Sequence, residues 1–169
     1  MAIKQITSLV NIGGSVTESA VATFTEATIG INLSPVDRQV FVITDVAFTS
    51  SEPDKAVGLT SAVSYQVTKT TQTGLLGADS PDLISRNQKF IFGGAAEFSY
   101  GETDFGTNGA SSTGGRNDYL MILATEDAFI SVVALNCAAP RGAECRITGY
   151  FATADASTYQ ALVLSELQG

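Results

Sequence analysis

The chain has 169 residues, of which 44% are hydrophobic and only 15% are charged, and its net charge is −8. This length fits one domain with a core of its own, and we expect a single domain over 1–169. The nine Lys and Arg residues are scattered singly, so the chain lacks the grouped positive charge that nucleic acids and anionic membranes require of a partner.

The chain reads as a series of short strands joined by turns. Glycine is frequent, and Thr, Val and Ile fill apolar runs that are too short to span a bilayer. The predicted strands are Ala2–Ile12, Ala20–Leu33, Gln39–Thr49, Ala62–Thr70, Ala95–Tyr100, Asp118–Thr125, Ala128–Asn136 and Glu144–Ala152. This series predicts an all-β fold, a two-sheet β-sandwich of jelly-roll or Greek-key type with one or two short helices.

The N-terminal segment 1–15 could be an arm that pairs with the sheet edge of a neighbouring molecule. Gly13-Gly14-Ser15 predicts a turn that uncouples the first strand from the rest of the chain. The alternative is an ordinary first strand followed by a Gly-Gly turn.

Two predicted strands, Gln39–Thr49 and Ala128–Asn136, are apolar on both faces. In Gln39–Thr49 the alternation places Val40, Val42, Val46 and Phe48 on one face, and Phe41, Ile43 and Ala47 on the other. A strand of this kind must be covered twice. We expect part of the cover to come from other copies of the chain, through an assembly surface that includes Val40, Phe41, Val42, Ile43, Phe129, Ile130, Val132 and Val133. The alternative is cover by the chain's own loops and C-terminal segment.

Two segments could be helical. Ser80-Pro81-Asp82 has the composition of a helix start and predicts a short helix running to Ile84. At the C-terminus, Ser157 and Gln160 imitate a capping box. Tyr159, Leu162, Val163 and Leu167 then share one helical face, although a final strand fits the alternation of the same residues.

The chain has no histidine, which excludes Ser-His-Asp and Cys-His catalysis and His-containing zinc sites. Carboxylate chemistry is left, but none of the candidate acids stands in a context that marks a catalytic pair. These acids are Glu97, Glu102, Asp104, Asp118, Glu126 and Asp127. We expect a protein that is not an enzyme and holds no metal or cofactor.

The segment Asp104–Gly109 partly copies the start of an EF-hand calcium loop. Gly106 replaces the third ligand, and Gly115 stands where the bidentate Glu belongs. A glycine-rich turn inside a long exposed loop, Gly101–Asn117, fits this sequence better.

The only two cysteines, Cys137 and Cys145, flank the turn Pro140-Arg141-Gly142. Zinc would need two more ligands, and a redox pair normally has the closer spacing C-x-x-C. If the turn joins two paired strands, the cysteines could form a disulfide across a hairpin. The alternative is that both stay reduced, as in a cytoplasm.

Two stretches, "ATFTEATIGINLSPVDRQVFVITDVAFTS" and "NDYLMILATEDAFISVVALNCAAPRGAECRITGYFAT", carry a resemblance. Their order of strands and turns resembles single jelly-roll structural proteins of viruses, including small capsid proteins and the trimeric decoration or cement proteins of phage heads. The resemblance implies a virion protein made in the host cytoplasm without a signal peptide. It would assemble with copies of itself, as a trimer for example, and with other virion proteins. The alternatives are an extracellular binding or adhesion module and a strand-donating filament subunit.

Overall fold

A computed structural model describes residues 3–95, 97–105 and 119–167. Within them the chain forms two antiparallel sheets and one C-terminal helix. The front sheet contains β1 (Ile3–Gln5), β2 (Val10–Thr17), β4 (Gln39–Ser50), β8 (Met121–Leu123) and β10 (Gly142–Ala154). The back sheet contains β3 (Thr25–Gly30), β5 (Thr60–Thr68), β6 (Leu83–Gly93), β7 (Phe98–Phe105) and β9 (Asp127–Leu135). The helix is α1 (Ala156–Leu167).

The strands follow the order of a jelly roll. In the front sheet β10 lies between β4 and the pair β1 and β2, and β8 lies beyond β4. In the back sheet the order is β3-β9-β5-β6-β7. The chain crosses between the sheets from β2 to β3, from β3 to β4 and from β4 to β5, and again on the way from β8 to β10. The prediction of an all-β sandwich of jelly-roll type is therefore confirmed.

The main core fills the space between the sheets. Phe41 and Ile147 of the front sheet meet Tyr65, Ile130 and Val132 of the back sheet, and each of these side chains is at most 1% exposed. The Phe41 and Phe151 rings pack with centroids 5.0 Å apart. Gly149 makes room for them, because a Cβ there would lie 2.7 Å from the Phe41 ring.

A bulge at Thr44 changes which residues of β4 face the core. The pairing with β10 runs from Asp45 opposite Thr148 to Ile43 opposite Gly149, which leaves Thr44 as the extra residue. Val46 and Phe48 therefore join Phe41 and Ile43 inside the sandwich. The predicted grouping of Val46 and Phe48 with Val40 and Val42 is wrong for this reason.

Helix α1 covers the other face of β4. Tyr159, Leu162 and Val163 pack against a second apolar cluster that includes Val40 and Val42. Asp155 caps the helix, since its Oδ1 accepts a hydrogen bond of 2.8 Å from the Thr158 amide. The C-terminal helix is thus confirmed, with its cap at Asp155 and not at Ser157.

The loop 69–82, between β5 and β6, covers part of the outer face of the back sheet. Gln66 points away from the core, yet it is fully buried. Its side chain donates to the Gly74 carbonyl and accepts from the Leu76 amide at 3.1 and 2.8 Å. Arg86 donates to the Leu76 carbonyl at 2.8 Å. The chain therefore supplies one cover for each sheet.

Two local predictions are wrong. The short helix expected at Ser80–Ile84 is a turn followed by the start of β6, which begins at Leu83. Gly13 and Gly14 do not form a turn, because they lie inside β2 opposite Arg146 and Cys145.

The N-terminal segment pairs within the chain. Both β1 and β2 run antiparallel to β10 along the same edge of that strand. Exchange of this segment between copies, as an arm, stays a prediction. In the described part of the chain no helix is long and apolar enough to cross a membrane.

Two glycines of the front sheet allow a matched test of this packing. In Gly149→Ala the new Cβ would lie 2.3 Å from the Val42 carbonyl oxygen, whereas in Gly13→Ala the nearest atom would be 3.9 Å away. We expect Gly149→Ala to lower the free energy of unfolding by about 1–3 kcal/mol. Gly13→Ala should leave it unchanged or raise it slightly. Urea denaturation of both variants measures the difference, and equal stabilities would contradict this packing at Gly149.

Candidate assembly surfaces

Most of the residues predicted to form an assembly surface are buried within the chain itself. Phe41, Ile43, Ile130 and Val132 lie in the core between the sheets. Val40 and Val42 lie under α1. Only Phe129 and Val133 reach the surface, and both are half-buried. For the six buried residues the prediction is corrected, because α1 and the second sheet supply the cover that was expected from other copies.

The structure shows a different apolar surface on the back sheet. At the end that the loop 69–82 leaves open, the outward side chains form what we call the uncharged face. It consists of Thr60, Ala62, Ser64, Gln88, Phe90, Phe92, Ser99, Gly101, Thr103, Val133 and Leu135. Leu135 and Phe92 are about half exposed, and the Phe90 and Phe92 rings meet edge to face at 5.0 Å. None of these residues is charged, although the chain carries a net charge of −8.

The opposite side of β6 and β7 carries a polar cluster. The Tyr65 hydroxyl donates to Asn87 at 2.9 Å, and Asn87 in turn donates to the Glu102 carboxylate at 3.1 Å. Lys89 forms an ion pair of 3.1 Å with Glu52. The cluster sits at the margin of the sandwich, where the inward face of β7 is open to solvent.

Exposed aromatic side chains stand next to this cluster. Phe98 and Tyr100 of β7 project to the same face as the cluster, and both are exposed. Burial and the nearby carboxylates of Glu102 and Glu52 raise the pKa of Tyr100. Its phenol therefore stays protonated and can donate a hydrogen bond at neutral pH.

Two carboxylates elsewhere in the sandwich, one of them buried, have structural partners. Glu18 is 4% exposed, and its two oxygens accept hydrogen bonds from the amides of Ala134 and Arg141 at 2.8 and 2.9 Å. Asp54 accepts from the Ala138 amide and pairs with the Arg141 guanidinium, and these contacts lower the pKa of Asp54. Glu18 and Asp54 thus fix the connection from β9 to β10.

A second group of buried charges ties α1 to the sandwich. Glu166 accepts a hydrogen bond of 2.8 Å from the Ala124 amide. Lys69 pairs with Asp82 at 3.1 Å and approaches the Ser165 carbonyl at 3.5 Å. No sequence pattern marks these residues, because each partner lies far away along the chain.

The cysteines do not face each other across a hairpin. Cys137 follows β9 in the back sheet, whereas Cys145 lies in β10 of the front sheet, so the turn at Pro140–Gly142 joins the two sheets. This contradicts the geometry on which the disulfide prediction rested. Both cysteines are free and buried in the main core. Burial raises the pKa of Cys145 to about 12.

The acids considered for catalysis are exposed wherever the structure describes them. Glu97, Glu126 and Asp127 are exposed, and Glu102 and Asp104 lie on β7. Asp118 and most of the calcium-like segment lie outside the described residues. Among the residues that the structure describes, no three His, Cys, Asp or Glu side chains lie close enough together to hold a metal ion.

A groove of about 530 Å³ lies where β2 and β4 end and β10 begins. Small and hydroxyl side chains line most of it, including those of Ser15, Thr17 and Ser51. Its only ionisable lining residue is Glu144, so the groove contains no pair of acids for acid–base chemistry.

No protein-family model matches this chain, and no curated protein matches it. A solved structure titled Desmodium yellow mottle tymovirus is similar to it over 89% of this chain and 91% of the other, with 10% sequence identity and a TM-score of 0.29. At that TM-score and identity the similarity carries no argument about the fold or the function of this chain.

The buried thiols give a direct chemical test of the fold. Both thiols are buried out of reach of a reagent, so we expect neither Cys137 nor Cys145 to react with a thiol reagent at pH 8 in the native protein. Both should react at once in denaturant. The unfolding free energy should fall as the pH rises from 9 towards 12, because the folded state keeps Cys145 protonated while the unfolded chain ionises.

Cys145→Ala isolates this contribution. It should remove part of the loss of stability above pH 9, and Cys137→Ala serves as the matched control that retains it. Rapid labelling of Cys145 in the native protein would contradict its burial.

Proposed function

We propose that this chain is a virion structural protein that works by assembling with copies of itself and with other virion proteins. In this role it is a capsid subunit or a capsid-decorating (cement) subunit, and it is not an enzyme. The contacts between copies run through the uncharged face and through free sheet edges.

The uncharged face is the observation that supports self-assembly. Two copies with a net charge of −8 each repel one another, so a contact between them is opposed least where no acidic side chains meet. The centres of protein interfaces are depleted in charged residues and enriched in aromatic ones. Phe90, Phe92 and Leu135 provide such a centre.

A binding or adhesion module is the second candidate, and the open side of β7 favours it. Tyr100 and Phe98 are exposed there beside Glu102, Glu52 and Lys89. Exposed rings beside hydrogen-bonding groups are suited to ligands that are rich in hydroxyl groups. In this case the chain would act as a monomer.

The two functions differ in how the mass of the protein depends on its concentration. We expect light scattering behind a sizing column to show a trimer or another oligomer that persists on dilution. In Leu135→Glu a charge enters the uncharged face, and association should weaken at least tenfold, or about 1.4 kcal/mol.

Leu164→Glu is the matched control, because Leu164 on α1 is 56% exposed and Leu135 is 55% exposed. This variant should associate like the unmodified chain. Unchanged thermal melting would show that both variants are folded. A monomer at all concentrations would overturn self-assembly and favour the binding module.

A further inference from the structure

Among the described residues, strand β7 is a long sheet edge with almost no cover. It pairs with β6 on one side, and no other strand of the described chain lies on its second side. Seven of its eight residues are exposed. The backbone amides and carbonyls along this second side are therefore available to another strand.

The usual devices that protect a sheet edge are mostly missing from β7. Natural edge strands are shortened, bulged or furnished with Pro or Lys. Strand β7 contains neither Pro nor Lys, and its register with β6 is unbroken from Phe98 to Phe105. The one device that it has is a pair of inward-pointing charges, those of Glu102 and Asp104. This edge can therefore pair with another strand, provided that the strand places no acidic residue opposite Glu102 or Asp104.

We propose that β7 pairs antiparallel with β7 of a second copy, about a two-fold axis at Gly101, so that the two back sheets become one continuous sheet. This pairing rests on the proposed function and specifies one of its contacts.

The positions of the acids select this register. Opposite residues of an antiparallel pair project to the same face, so the two-fold axis passes through a residue and not between two. The two registers that pair most of β7 have their axes at Gly101 and at Glu102. An axis at Glu102 would place Glu102 directly opposite Glu102 of the second copy, which is repulsive.

An axis at Gly101 separates the acids and gives each one a neutral neighbour. Tyr100 then lies opposite Glu102 of the second copy, and Phe98 lies opposite Asp104. The Tyr100 phenol can donate to the oxygen of Glu102 that Asn87 leaves free, since Asn87 holds only Oε1. Strand β7 is thus complementary to itself in this register.

The outer face of β7 supports the same junction. At Gly101 the Phe90 ring occupies the space that a side chain would fill, with ring atoms 2.3 Å from a built Cβ. Ser99 and Thr103 lie on either side and carry no charge. The uncharged face therefore continues from one copy to the next without a charged side chain at the seam.

Paired cysteines test the register. An axis at Gly101 brings Ser99 of one copy opposite Thr103 of the other, at a Cβ separation of roughly 4.5–5.5 Å, which small movements can close into a disulfide. Within one chain the same two residues are about 13 Å apart along the strand. Oxidation of the S99C/T103C variant should give a covalent dimer on a non-reducing gel, whereas S99C alone and T103C alone should stay mostly monomeric.

The outcomes distinguish this pairing from the proposed function. If the unmodified chain associates but S99C/T103C yields no covalent dimer, or if S99C with Phe105→Cys crosslinks instead, the Gly101 register is wrong while self-assembly stands. If the unmodified chain is a monomer at every concentration, both are wrong.

Tyr100→Glu provides a second measurement on an exposed residue, and it should weaken association at least tenfold by placing two acids opposite each other.

Discussion

The whole structure depends on the burial of β4 from both sides. A strand with apolar residues on each face has no side that can be left in water. Here the back sheet covers Phe41 and Ile43, and α1 covers Val40 and Val42. The tie from Glu166 to Ala124 at the end of the helix holds this second cover in place. The sandwich is therefore three layers deep at β4, although the chain is short.

The fold class and most strands could be predicted from the sequence, because they follow from local alternation and from turn residues. The prediction failed where the local structure depends on a residue that is distant in the sequence. Thr44 bulges because β10 pairs on both sides of it, and nothing in Gln39–Thr49 marks the position. Strand β6 escaped prediction because its Asn87 and Lys89 lie at the open margin of the sandwich, where polar side chains face inward.

The candidate assembly surface was even harder to predict from the sequence than the strands. Continuous apolar runs indicated buried strands correctly, but they could not show whether the cover came from α1 or from another molecule. The uncharged face combines alternate residues of four strands, and β9 joins β5, β6 and β7 only through the sheet pairing, so no single segment carries its signal. The buried Glu18 is similar, since the amides that it binds belong to Ala134 and Arg141. Only the topology brings these groups together.

The central position of β10 in the front sheet has a consequence for how the chain folds. Of the described strands it is synthesised last, and both β1 and β2 pair with it, as Ile3 does with Ala154. Contacts between sequence ends are slow to form. The β5–β6–β7 meander can form early in synthesis, whereas β2 can pair only after β10 has been made. During that delay the edges of the N-terminal strands are unpaired. Two chains that are being synthesised on neighbouring ribosomes can then pair through these edges.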